Sequence, residues 1–196
     1  MSLTYYLYLS HLKLGLLAAQ VASSAQHETE IAVDLKVVRY SRKAVLPERH
    51  DLDKLEKVIR HLQDADQIGT ATEPGPYFQA CLEMRWKVFP SLGIVVFAGT
   101  LDDQIIVLGG SASHVIGGGA AEPIGSVPPY LFRKLQELQA DPGEFDDERF
   151  HEALAQTGAL LPGPTQRVEF VAKRLAEKPG PGGTLLGSPI YVALVD

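Results

Sequence analysis

Cysteine is nearly absent from this chain: Cys81 is the one thiol among 196 residues. That excludes a disulfide framework and a cysteine-rich zinc site. Basic residues are in deficit, 18 Lys and Arg against 24 Asp and Glu, so the formal net charge is −6. A protein that grips nucleic-acid backbone needs the opposite balance, and no nucleic-acid partner is expected. No apolar run approaches the roughly 20 residues of a membrane-spanning helix, so no membrane partner is expected either. Neither a glycine-triplet nor a heptad period runs through the chain, which excludes collagen and coiled coil. What is present is 45% hydrophobic and 21% charged, a composition that buries a core without staples. Disorder of the whole is thereby excluded, and the length suits a single globular domain over residues 1–196.

Charge is spread unevenly. Residues 1–50 hold six Lys/Arg and four Asp/Glu, whereas residues 141–152 (DPGEFDDERFHE) hold six acids and one Arg. The acidic run reads as a solvated helix start, because carboxylates favour the positive end of a helix dipole. It lacks EF-hand spacing, and no metal or other cofactor is expected. Near the N-terminus, LGLLAAQVA followed by small residues resembles a secretory signal. A basic start is missing, however, and Tyr5-Tyr6-Leu7-Tyr8-Leu9 is already an apolar run. Strand followed by helix is the better reading, and it implies a cytoplasmic protein.

The periodicities predict an α+β fold: a mainly antiparallel sheet of about seven strands with about four helices, opening with a strand–helix–strand unit. The first strand is YYLYL, and Leu12, Leu16, Leu17 and Val21 stripe the helix after it. Ile31–Tyr40 alternates as a half-buried strand. Asp51–Asp64 is the clearest helix, with Asp51 as its N-cap, and residues 65–76 read as a loop. Phe78 to Val88 alternates strictly, Phe78, Ala80, Leu82, Met84, Trp86 and Val88 against Gln79, Glu83, Arg85 and Lys87, as a long strand with one wet face. Pro90 to Gly93 turns the chain. Ile94–Thr100 and Gln104–Leu108 form a hairpin around Leu101-Asp102-Asp103. Helices are expected over Pro128–Gln139 and over Asp147–Thr157, the latter stopped by Gly158. Arg167–Ala176 and Leu185–Val195 supply the last strands.

Glycine marks the candidate site. Eight of the 18 glycines fall between positions 93 and 125, and LGGSASHVIGGG (108–119) sits among them. Such a loop can turn successive N–H groups toward an anion, with serine hydroxyls as further donors. Gly109, Gly110, Ser111, Ser113 and His114 are its candidate ligand contacts. The pattern is neither a phosphate-binding P-loop, nor a dinucleotide fingerprint, nor a nucleophile elbow. His114 is also the one candidate catalytic residue, a base for Ser111 or Ser113. A second pointer is the first strand-to-helix corner, where Ser10 caps the helix and Lys13 lies one turn in. Ser188 enters through an echo of Gly110-Ser111 in Gly187-Ser188. Cys81 lies on a polar strand face, with Arg85 as the nearby cation able to activate it.

Three stretches, YYLYLSHLKLG, FAGTLDDQIIVLGGSASHVIG and LLGSPIYVALVD, resemble an uncharacterised family of actinobacterial proteins of similar size. The resemblance implies a soluble, intracellular, single-domain protein. It carries no assigned activity and hence no catalytic residues.

The leading expectation is a cytoplasmic small-molecule-binding domain, a sensor of a phosphorylated or nucleotide-like ligand. Ser10, Lys13, Gly109, Gly110, Ser111, Ser113, His114 and Ser188 would line its pocket. Two alternatives stay open. One is a cofactor-independent enzyme (cyclase, isomerase or hydrolase) acting on a small apolar metabolite. It would use a pocket of Trp86, Met84, Phe78 and Phe170, with His114 or Tyr191 as acid/base. The other is a non-catalytic protein-interaction module. Nothing in the sequence fixes the oligomeric state.

Overall fold

A computed structural model of the chain describes residues 4–26, 49–117 and 147–195. Strand β1 (Tyr5–Leu9) runs into helix α1 (His11–Gln26), and α2 (Arg49–Asp64) packs on α1. Strands β2 (Ile68–Thr70) and β3 (Tyr77–Phe89) follow, then β4 (Ile94–Leu101) and β5 (Gln104–Ser111). Helix α3 (Asp147–Leu160), β6 (Gln166–Lys178) and β7 (Thr184–Leu194) complete the described elements. All seven strands belong to one mixed sheet, and β3, β4, β5, β7 and β6 close into a ring when β6 pairs back to β3. Two contacts are parallel, β2 with β3 and β5 with β7; the others are antiparallel. Closure gives each of these five strands a neighbour on both sides, while β1 and β2 remain edge strands.

The ring interior takes the apolar face of each strand. Phe78, Met84, Phe97, Ile106, Leu108, Phe170 and Leu185 are all buried there. Phe78 and Phe170 meet edge-on at 5.6 Å, and Trp86 stacks on Phe97 at 6.0 Å. The indole N–H of Trp86 donates to Gln166 Oε1 at 2.7 Å, so its polar end is satisfied. Phe78, Met84 and Phe170, with Trp86 against them, thus fill the interior. This corrects the expectation that Phe78, Met84 and Trp86 line an apolar substrate pocket; of the four, Phe170 alone also borders a cleft, on β3. The strand Ile94–Leu101 reads as a near-continuous apolar run because both its faces are covered: Val95 and Phe97 inward, Ile94, Val96 and Ala98 under Phe150 and Leu154 of α3. On another outer face, Leu14 of α1 and Leu55, Val58 and Leu62 of α2 cover Val171 and Ile190.

The hairpin between β4 and β5 turns at Asp102 and Asp103, both at positive φ (47° and 65°). Asp tolerates this left-handed region, which two-residue hairpin turns require. Several expectations need correction. The described residues contain three helices, not four; Pro128–Gln139 lies outside them. Ile31–Tyr40, the third member of the opening strand–helix–strand unit, also lies outside. The seventh strand is instead β2, in the stretch read as a loop; three residues are too short to show a period. Helix α2 starts at Arg49, so Asp51 sits inside its first turn rather than capping it. Gly158 does not stop α3, which continues to Leu160, because its bare Cα packs against Ile105. In α1 the inward set is Leu14, Leu17, Ala18 and Val21, while Leu12 and Leu16 are exposed.

Candidate functional site

Along one edge, β7 changes partners. Residues 184–187 pair with β5 and residues 191–194 with β1, so 188–190 are left between the two. Backbone groups at such a gap need other partners, and the chain supplies them from α1. The Ser10 N–H donates to the Ile190 carbonyl at 2.8 Å, and Lys13 Nζ donates to the Pro189 carbonyl at 2.7 Å. Ser188 Oγ donates to the Gly109 carbonyl at 3.4 Å. Ser10 also starts the helix, since its carbonyl accepts from Leu14 N–H at 2.9 Å.

Tyr8 stands at the centre of this corner. Its ring occupies the space that a side chain at Gly110 would need: a Cβ there would lie 2.6 Å from the phenol oxygen. Its hydroxyl meets His114 Nδ1 at 3.3 Å, and the two rings meet edge-on at 5.8 Å. Burial raises the Tyr8 pKa well above its ordinary value, although Ser10 and the Ser111 backbone at the phenol oxygen pull the other way. His11 comes edge-on to His114 at 6.1 Å, and His11 Nδ1 lies 3.4 Å from Asp51 Oδ2.

The electrostatics are one-sided. Burial, and then the charge of Lys173, push the Lys13 ammonium down to about 7. Burial, followed by His11 and Lys13, pushes His114 down to about 4. Lys13, Lys173, His11 and His114 thus share one neighbourhood, with Asp51 as its counter-charge through His11. Like charges crowded out of water make the site receptive to an anion.

A second recess lies elsewhere, on β3. Strand β4 accompanies β3 over residues 84–89 and β2 accompanies it over 77–79, leaving 80–83 without a partner on that edge. An open cleft of about 400 Å³ occurs there, bounded by Thr70, Thr72, Cys81, Glu169 and Tyr191 together with apolar Leu101 and Phe170.

Over residues 4–196 the chain matches a family model described as a family of unknown function, DUF7019. The chain belongs to this family. No curated protein and no solved structure matches it. For this DUF7019 member, the roles of individual residues therefore rest on geometry.

That geometry brings Ser10, Lys13, Ser111, His114 and Ser188 into one corner, from three separate chain segments. It alters the meaning of the glycines. Gly109 and Gly110 are not in an anion-cradling loop but in β5, paired with Val96 and Val95. At Gly110 the absent side chain makes room for Tyr8. Ser111 accepts from the Ser113 N–H at 3.4 Å and opens a short 3₁₀ turn over Ala112–His114. The two serine hydroxyls bond each other at 2.8 Å, while His114 faces Tyr8. A Ser–His nucleophile pair is therefore not assembled here. Gly118 and Gly119 lie outside the described residues.

The other acid/base candidate, Tyr191, packs edge-on to Tyr6 under the α1–α2 layer, against a different core from that of Tyr8. Cys81 is exposed on the wet face of β3, as alternation predicts, but Arg167 rather than Arg85 is the cation that engages it. His151 is buried and hydrogen-bonds Thr184 Oγ1. Among the described residues no cluster of three His, Cys, Asp or Glu side chains could hold a metal. No described helix is long and apolar enough to cross a membrane. Sequence reasoning missed Tyr8, His11, Asp51 and Lys173. A histidine two residues before Lys13 was the available signal for one of them; the others become neighbours through the fold alone.

Proposed function

We propose that the corner of β1, β5 and β7 binds a phosphorylated small molecule, and that the protein acts as a cytoplasmic sensor of it. One observation carries this reading: among the described residues Lys13, half-buried, has a single backbone carbonyl as its hydrogen-bond partner and stands among His11, His114 and Lys173. A cation so placed is strained electrostatically, and a phosphate would relieve it by supplying the missing counter-charge. The hydroxyls of Ser10, Ser111, Ser113 and Ser188 would serve as donors to its oxygens by turning from their present partners. The test is a thermal-shift series with inorganic phosphate, ribose 5-phosphate and adenosine monophosphate at millimolar concentration. At 100 times the dissociation constant a ligand adds about 2.7 kcal/mol of stability. At least one of the three is expected to raise the melting temperature, and Lys13→Met is expected to abolish the rise. No shift from any of them, or an undiminished shift in the variant, would overturn the proposal.

A cofactor-independent enzyme keeps one supporting observation. Asp51 orients His11 at 3.4 Å, and the adjacent His114, its Nδ1 against the Tyr8 hydroxyl, is neutral at pH 7 as a base must be. That reading predicts a turnover lost in His114→Ala while the fold is retained.

A further inference from the structure

The cleft on β3 has chemistry of its own. Its volume of about 400 Å³ lies within the range of small-molecule sites, roughly 300–1,000 Å³. Thr70 and Thr72 are already engaged, their hydroxyls 3.0 Å apart and Thr70 Oγ1 accepting the Glu73 N–H. Glu169 is not: among the described residues its carboxylate has no cationic partner. Its charge is felt by the phenols of Tyr191 and Tyr6, whose pKa values burial raises and the Glu169 charge raises further. The two phenol rings meet edge-on at 5.9 Å. Leu101, Ala80 and Phe170 supply the apolar part of the lining.

A lone carboxylate beside an aromatic ring suits a positive charge twice over. The carboxylate accepts charge-assisted hydrogen bonds, and the ring face attracts the cation. An anion at the same place would meet a like charge, since Arg167 engages Cys81 rather than Glu169. We propose that this cleft is a second binding site, for a small organic ammonium compound, with Glu169 as counter-ion and Leu101, Ala80 and Phe170 as the bed for its hydrocarbon part. The net charge of −6 favours its approach.

Cys81 lines the cleft, is exposed, and is the chain's one cysteine, so its alkylation reports occupancy without an added label. The experiment measures the rate of Cys81 modification by iodoacetamide with phenethylamine, 3-phenylpropionate or 2-phenylethanol present. These probes share a ring and differ in charge. Phenethylamine at ten times its dissociation constant is expected to slow alkylation about tenfold, with little effect from the anion or the alcohol. In Glu169→Gln, whose fold is verified by circular dichroism, the amine's protection should be lost. Equal protection by all three probes, no protection by the amine at any millimolar concentration, or undiminished protection in the variant would each overturn the proposal. Lys13→Met should leave it intact, so failure here and failure at the corner are separate results.

Discussion

Two strands in this sheet exchange one partner for another along their length, and the two exchanges end in opposite chemistry. At β7 the gap of residues 188–190 is closed by the start of α1, with Ser10 and Lys13 bonded to its carbonyls. At β3 the gap of residues 80–83 stays open as a cleft. The first collects cations around a buried phenol; the second presents a carboxylate beside an aromatic ring. A partner exchange frees backbone and side chains together, and what fills the space decides whether the result is a rigid polar knot or a recess. In the corner the candidate residues also hold the fold. In the cleft they do not, and this difference can be tested.

The largest effect is expected from Gly110→Val. A Cβ at this position would lie 2.6–2.7 Å from three atoms of the Tyr8 phenol group, so the ring must leave its place between β5 and His114. Overpacking of this kind costs about 3 kcal/mol at its upper range, measured as a lower urea midpoint. At the cleft, Thr72→Ala removes an exposed hydroxyl and should cost less than about 0.5 kcal/mol. Next in size is the loss of anion binding in Lys13→Met. A hydrogen bond to a charged group contributes about 1.5–3 kcal/mol, so affinity for the phosphate probe should fall at least tenfold, as read by calorimetry.

How much of this was readable in the chain depends on the range of the interaction. Strict alternation from Phe78 to Val88 gave β3 its register and its wet face, and IVVFA followed by Asp102-Asp103 gave the hairpin. These are local signals of period and turn chemistry. The pair Ser10 and Lys13 was also legible, because a serine at a strand-to-helix step has a local role. The convergence of Ser188 and His114 on that pair was not, since it depends on β7 leaving β5 for β1. The glycines misled for a related reason: Gly110 looks like a flexible loop residue until Tyr8, more than 100 positions away, takes the space beside it. Glu169 gave no signal, because one acid among polar strand residues is unremarkable until the opposite edge opens.

The pH dependence of stability separates the regions next. The unfolded chain keeps the Lys13 proton up to about 10.5, whereas the folded chain releases it near 7. Between those values the unfolded state binds more protons, so stability should rise with pH across that window. His114, ordinarily near 6.5 and here near 4, adds an earlier rise between those two values. Solvent access to half-buried Lys13 reduces the size of its contribution. Lys13→Met should flatten the upper rise, checked by urea midpoints from pH 5 to 9. Sulfate, whose charge is constant over this range, should bind more weakly as pH passes 7 and Lys13 loses its proton.

Smaller still is the expected effect of Glu169→Gln on the fold. The carboxylate is half-buried and, among the described residues, has no cation to leave stranded, so its neutralisation breaks no ion pair. Its charge raises the pKa values of Tyr6 and Tyr191, and both stay protonated at neutral pH with or without it. The urea midpoint between pH 6 and 8 should therefore move by less than about 0.5 kcal/mol, and the corner's response to sulfate should be unchanged. A loss of 2 kcal/mol or more would mean that Glu169 is tied into the sheet as Tyr8 is tied into the corner. The contrast between a structural knot and an open recess would then disappear. A neutral result, combined with lost protection of Cys81 by phenethylamine, would leave Glu169 with a role in binding that its contribution to stability does not explain.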